Sequence, residues 1–241
     1  MAFGAMVRNA AAEDFKTEAF IGGAAFFAPQ FEGAKNNELY YFPLAEIKHG
    51  PLFASVLQGA GVYLPANSSR TIIFAPALRW RTKRNLGQSW GTIEYVENVR
   101  PTATLNSILK LDPIMFNFRV TDGLVHGNTG ASFNFGITYA GKFDAFDLTV
   151  YSTAIYGSRR YNQTYSGITA FESSKFGYAE YSAPAGFRSV DAGAVLKIPV
   201  AEKIALLAGA EYMRLTGAAK DSPITEAADQ FSVHIGAVYN F

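Results

Sequence analysis

The stretch Gln230-Phe-Ser-Val-His-Ile-Gly-Ala-Val-Tyr-Asn-Phe241 decides the fold. Successive side chains of an extended chain point to opposite sides. Phe231, Val233, Ile235, Ala237, Tyr239 and Phe241 therefore share one face. Gln230, Ser232, His234, Gly236 and Asn240 share the other, with Val238 alone out of place. Alternation this regular reads as a strand with one apolar face. It recurs at 70–82, 113–122, 129–140 and 145–156; in 113–122, for instance, Ile114, Phe116, Phe118 and Val120 oppose Asn117, Arg119 and Thr121. Ordinary globular strands average about five or six residues, whereas a tilted membrane strand needs roughly 9–11. These segments have the membrane length.

Composition agrees. Of 241 residues, 49% are apolar and only 17% charged, with 20 Phe, 13 Tyr, 2 Trp and no cysteine. Mean hydropathy is nonetheless only +0.05. A helical membrane protein needs runs of roughly 18 apolar residues, and the longest run, 20–29, is about half that. The aromatics exclude a disordered chain, and the missing cysteines exclude a disulfide scaffold. With 21 Lys+Arg against 20 Asp+Glu, the basic surplus of a nucleic-acid binder is missing. A chain without thiols also suits an oxidising compartment. What survives is an all-β chain, either a soluble domain or a barrel that presents its apolar half to lipid.

Connection lengths set the topology. Short turns fall at His49-Gly50-Pro51, Asp112-Pro113, Gly141-Lys142-Phe143-Asp144 and Pro199-Val200-Ala201-Glu202, and long ones at 29–36, 157–185 and 215–228. Membrane barrels combine short periplasmic turns with long extracellular loops. The expected architecture is a transmembrane antiparallel up-and-down β-barrel of about twelve strands, with ten or fourteen as alternatives. The strands read at 16–28, 37–48, 51–63, 70–82, 90–98, 101–111, 113–122, 129–140, 145–156, 186–198, 203–214 and 229–241. The segment 90–98 makes the count even, and no helical period stands out. Residues 1–15 form an expected N-terminal periplasmic segment, and 16–241 a single barrel domain. Met1 to Ala12 lack the apolar core of an intact secretory signal. Ala10-Ala11-Ala12 reads as the tail of a cleaved leader or as a remnant of expression. Pro43, Pro76 and Pro184 mark edges or bulges.

Charges and aromatics divide between the faces. Arg79, Arg81, Lys110, Arg119, Asp147, Asp191, Lys197, Glu211 and His234 oppose apolar neighbours, so a barrel turns them into its lumen. There they form either an internal salt-bridge network or the lining of a narrow pore. Trp80, Tyr139, Tyr156, Tyr212, Tyr239 and Phe241 cap the apolar faces, as interfacial girdles do. The chemistry of an enzyme is thin. His234 has Ser232 as a same-face neighbour, His126 lies in Gly123-Leu-Val-His-Gly-Asn-Thr-Gly130, and His49 sits in a turn. A hydrolytic triad needs an oriented carboxylate as well, zinc needs three or four ligands, and no phosphate-loop glycine pattern is present. The expectation is a protein without catalysis, cofactor, metal or nucleic-acid partner.

The C-terminal third carries the most specific motifs. Arg160-Tyr-Asn-Gln-Thr-Tyr-Ser-Gly-Ile168 precedes Tyr212-Met-Arg-Leu-Thr-Gly-Ala-Ala-Lys-Asp-Ser-Pro-Ile224 and the terminal strand. Near the other end stand Gly22-Gly23, Ala28-Pro-Gln-Phe-Glu-Gly33, Pro43 and Gly50-Pro-Leu-Phe53. The chain resembles the MipA/OmpV family of outer-membrane proteins, strongly at both ends and vaguely between about 83 and 128. Phe31 stands where the family commonly has Tyr, and Ala218 where it commonly has Asp. The residues also read locally as loop architecture. Gly217 permits a positive φ at a strand exit, and Ser222-Pro223 presets a turn.

The resemblance implies a Gram-negative outer-membrane protein in contact with lipid and lipopolysaccharide. The final Tyr239 and Phe241 resemble the C-terminal signal read by the barrel-assembly machinery. The family's described role implies a scaffold between a murein hydrolase and a murein synthase, with a narrow solute pore as the alternative. Partner contacts are expected on periplasmic material, namely 1–15 and 83–89. The Tyr-rich stretch 156–181 reads as an extracellular recognition loop.

Overall fold

The computed structural model describes residues 17–82, 99–123 and 129–241, and of 81, 82, 99, 100 and 123 the backbone alone. Strands β1 (Thr17–Pro29) and β2 (Asn37–His49) come first, then three short pieces, β3 (Leu52–Ser55), β4 (Gly59–Val62) and β5 (Leu64–Pro65). The remaining wall is β6 (Ile72–Thr82), β7 (Val99–Leu111), β8 (Ile114–Gly123), β9 (Ser132–Lys142), β10 (Asp147–Gly157), β11 (Gly186–Pro199), β12 (Ile204–Leu215) and β13 (Asp229–Asn240).

Neighbours in sequence are neighbours in the sheet, and every ladder is antiparallel. The first and last strands pair from Phe20 opposite Asn240 to Phe27 opposite Val233. Together with the β4 to β6 pairing, this closes the sheet into a barrel. Closure removes the sheet edges, whose unpaired amides are costly in hydrocarbon. β4 and β5 are pieces of one descending strand broken at Tyr63, so the wall has twelve strands.

The terminal strand folds as its alternation dictates. Gln230, His234 and Val238 are buried, and Phe231, Ile235, Tyr239 and Phe241 are exposed. In a membrane barrel those exposed side chains face lipid. Exposed rings form two belts: Tyr139, Tyr239, Phe241 and Phe143 at the end bearing the short turns, Trp80, Tyr212 and Phe187 at the other.

One sequence expectation changes. The segment 51–63 is a hairpin, since Leu52 pairs with Val62 and Ser55 with Gly59; the extra strand comes from here. The expected strand 90–98 and the stretch 83–89 expected to carry periplasmic contacts lie outside the described residues; β6 pairs directly with β7 from Ile72 opposite Leu109 to Thr82 opposite Val99.

The long loops also hold helices: α1 (Arg159–Ser166), α2 (Ala170–Phe176) and α3 (Gly217–Lys220). They are too short for a period of 3.6 to register. Their local signals are legible all the same. Ser158 caps α1 by accepting from the Tyr161 amide. Thr169 and Glu172 form a reciprocal capping box at α2, the two-way satisfaction of free helix amides.

Candidate functional site: barrel interior and extracellular cap

The inner face of the wall is divided. Around β12, β13, β1 and β2 it is apolar: Ala24, Phe26, Leu44, Ala205, Leu207 and Val238 form one buried cluster, with Phe20, Tyr40 and Leu57 packed against it. Val238, the residue that broke the sequence alternation, is part of this cluster. A second cluster, Phe53, Tyr63, Ile73, Ala75 and Ile108, lies behind the hairpin, with the Phe53 and Tyr63 rings 4.6 Å apart. Ile73 is fully buried.

From β7 to β11 the inner face carries a polar set beside Ile108, Met115 and Val195. Thr102, Thr104, Asn106, Thr121 and Thr138 are buried there, and the Thr104 and Thr121 hydroxyls lie 3.1 Å apart. Tyr151 donates its hydroxyl to Glu211 Oε2 at 2.5 Å. Glycines make room for the larger inner groups. A Cβ at Gly193 would stand 2.6 Å from the Tyr151 ring, and one at Gly209 would stand 2.3 Å from the His234 ring. His234 stacks on Phe26 at 5.1 Å and 28°.

The sequence-predicted inner residues occupy positions of buried parity. Arg79 Nη2 donates to Leu57 O at 2.7 Å. Lys110 and Asp191 are buried, and Arg119 is half-buried near Tyr63. Asp147 stands opposite Lys197 in the ladder between β10 and β11. Glu211 takes the Tyr151 hydrogen bond, and His234 belongs to the stack just described. The Arg81 side chain and His126 lie outside the described residues. His49 ends β2 rather than lying in a turn, and its Nδ1 is 2.9 Å from Thr17 Oγ1. Beside these residues, two apolar clusters occupy other parts of the inner face.

The long-loop rim carries a cap. The β10 to β11 register passes from Ile155 opposite Ser189 to Tyr156 opposite Phe187, skipping Arg188. A bulge of this kind turns two consecutive side chains the same way, and Arg188 and Ser189 are both buried. Arg188 pairs with Glu32 of the first loop. Its guanidinium carbon also lies 5.0 Å from the Tyr161 ring centroid and 5.6 Å from that of Tyr165, both on α1. One cation thus ties the first loop, α1 and β11 together.

Hydrogen bonds extend the tie. Buried Asn162 donates to Pro184 O at 2.7 Å. Ser222 donates to Ser166 O at 2.5 Å, Thr225 to Ala219 O at 2.6 Å, and Gln230 to Ala34 O at 3.1 Å. Gly217 has φ +47°, and the Ser222-Pro223 turn closes through Thr225 N to Ser222 O at 2.9 Å. The motif 216–224 is thereby part of the cap. Within the stretch 157–185, Ile168 and Tyr181 pair as an isolated bridge. Burial first, then the Asp221 carboxylate, raises the Tyr181 phenol above its ordinary value.

Sequence reading missed Arg188 and Glu32, because a bulge breaks the period that assigns faces. It also missed the inner apolar set, Phe26, Leu44, Phe53 and Ile73. A usable signal was present in Phe26-Phe27 and Val238, where apolar residues fall on both faces at once.

A closed twelve-stranded wall with an apolar outer belt and all its long loops at one end defines an outer-membrane β-barrel protein of a Gram-negative bacterium. The family described as MltA-interacting protein MipA matches residues 21–241, and the chain belongs to that family. No curated protein sequence matches it. Among solved structures it is similar to the outer membrane channel DcaP of Acinetobacter baumannii, with 8% identity, TM-score 0.41, and coverage of 94% of this chain and 96% of that one. It is also similar to the outer membrane protein OmpT of Vibrio cholerae, with 8% identity, TM-score 0.40, and coverage of 94% and 97%. The translocator domain of the autotransporter NalP from Neisseria meningitidis gives 10% identity, TM-score 0.39, and coverage of 95% and 90%.

Proposed function

We propose that the protein is a non-enzymatic scaffold of the cell envelope that holds peptidoglycan-remodelling enzymes at the outer membrane. The observation that carries this reading is the apolar share of the inner face. Phe26, Leu44, Leu207 and Val238 on one side, and Phe53, Ile73 and Ile108 on another, are buried inside the wall. Barrels of intermediate size either fill with side chains or enclose a cavity, and apolar packing on the inner face favours a structural body over a solute pore. The family description, MltA-interacting protein, points to a murein hydrolase as one partner, and a murein synthase completes the scaffold.

The lumen-facing charges Arg79, Arg81, Lys110, Arg119, Asp147, Asp191, Lys197, Glu211 and His234 then serve as internal bracing. Tyr239 and Phe241 serve as the signal for barrel assembly. The partner contact falls to residues 1–15 and the short-turn rim. The packing of His234 against Phe26 and over Gly209 favours a structural role over catalysis for that residue.

Affinity purification of the tagged protein at native expression tests the reading. Retention of a murein hydrolase together with a murein synthase is the expected result. Retention of neither ends the scaffold hypothesis.

A further inference from the structure

Strand β1 holds two consecutive glycines that answer to different needs. Gly22 faces the lumen, opposite Leu44 and Val238. A Cβ there would stand 2.1 Å from the Ala237 carbonyl oxygen, so packing of the wall requires the glycine. Gly236, Gly193 and Gly209 are required in the same way, with nearest approaches of 2.7, 2.6 and 2.3 Å.

Gly23 faces outward, and among the described residues no contact of the barrel requires it. A Cβ at Gly23 would meet only Phe42 O, at 3.8 Å, an ordinary contact. Its φ is not positive. Both ladders run through it without a bulge, Pro43 opposite on β2 and Ala237 opposite on β13. Glycine inside a strand weakens it and, where there is neither bulge nor bend, marks a place that another group approaches closely.

That place is a shallow groove on the outer face, lined by Gly23, Ala24, Ala25, Tyr41, Phe42 and Pro43. Its flanks stand proud. Tyr41 and Ile235, the cross-strand neighbours of Ala25 on either side, are 78% and 68% exposed. Along β1 the exposed Ile21 and Phe27 bound it at the two ends.

We propose that this groove seats one acyl chain of an outer-leaflet lipid as a fixed, one-to-one ligand of the barrel. The proposal does not depend on the scaffold reading.

Depth narrows the choice of occupant. Gly23 is the midpoint of the 13-residue β1, so the groove starts at mid-membrane depth. Through Ala25 it runs toward the long-loop end, which is the outer leaflet. A water-soluble partner does not reach that depth; a lipid tail or another membrane-spanning wall does. The flanks decide between these two. Tyr41 and Ile235 stand two strand spacings of ~4.8 Å apart across Ala25. The wall of a second barrel would rest on those side chains and leave the floor empty. A single hydrocarbon chain fits between them and gains contacts on three sides, and an unfilled floor forfeits those contacts. The groove is also continuous with the lipid-facing surface of β13, where Phe231, Val233 and Tyr239 are exposed.

The open Cβ position gives a clean test. Gly23→Leu fills the groove from its floor and leaves the packing of the wall intact. Ala25→Leu fills the second floor position. Ala192→Leu adds the same side chain to the outer face of β11, opposite Tyr212 and away from the groove. Each protein is refolded into phosphatidylethanolamine vesicles containing lipid A, extracted in mild detergent and weighed by native mass spectrometry. Folding is checked by heat-modifiable migration, and Ala25→Leu stands in should Gly23→Leu fail to fold. The expected result is one lipid A per barrel in the unsubstituted protein and in Ala192→Leu, with retention at least tenfold lower in Gly23→Leu. Equal retention in Gly23→Leu, or no retained lipid in the unsubstituted protein, overturns the proposal. A phosphatidylethanolamine adduct in place of lipid A overturns it as well. So does a dimer that Gly23→Leu dissociates, which assigns the groove to a second copy of the chain.

Discussion

The two sides of the barrel are built on different terms. From β10 round to β1 the strands are long, the ladders run along them with one bulge at Arg188, and the rim is tied by Arg188, Asn162, Ser222 and Gln230. From β2 to β6 the wall descends to a hairpin with four-residue strands, held by Arg79 at its tip and by the Phe53, Tyr63 and Ile73 cluster behind it. The first side derives its strength from backbone pairing and buried polar ties. The second derives it from apolar packing on the inside of the wall. A closed barrel tolerates a local loss of ladder where side chains replace the missing hydrogen bonds as the source of cohesion.

Four substitutions sharpen or break this contrast. The largest effect is expected from Arg188→Ala, which strands Glu32 and removes the ring contacts of Tyr161 and Tyr165. Breaking a buried pair costs about 3–5 kcal/mol. Glu32 is 35% exposed, so about 3 kcal/mol is expected by urea unfolding in micelles, with faster trypsin cleavage within 158–185. An unchanged cleavage rate would show that the cap does not depend on this cation.

On the other side, Ile73→Ala removes a fully buried side chain. About 2–3 kcal/mol is expected, toward the lower end for such truncations because a short hairpin can settle into the space. A loss equal to or larger than that of Arg188→Ala would reverse the contrast. Gly209→Ala places a methyl against the His234 ring and the Ala194 carbonyl. Overpacking of about 1–2 kcal/mol should follow, with a shifted His234 resonance as the readout. The smallest effect belongs to Arg214→Ala. Its pair with Asp229, 2.7 Å long, has both partners 54% exposed, and surface pairs contribute little. No measurable change in the urea midpoint is expected.

Much of the wall was legible from period and length alone. The strands at 113–122, 129–140, 145–156, 203–214 and 229–241 fall within three residues of β8, β9, β10, β12 and β13. What escaped were places where the period fails for a physical reason. The hairpin at 52–62 reads as one apolar strand because Leu57 in its turn is itself apolar and packs, half-buried, against the core. Pro43 reads as an objection to a strand, yet it stands within β2 opposite Gly23 of β1. Arg188 lies on a bulge, so alternation assigns it outward. The inner apolar clusters escaped because lumen residues were sought among the charges. In this barrel the inner face carries two buried apolar clusters beside its hydrogen-bonded polar groups.

The central claim is that this interior is a filled structural body rather than a conduit. Single-channel recording of the purified protein in planar bilayers tests it most directly. The account predicts a quiet membrane, with no long-lived discrete conductance steps after insertion is verified. Reproducible, stable steps whose size changes on substitution of an inner residue such as Arg119 would contradict it.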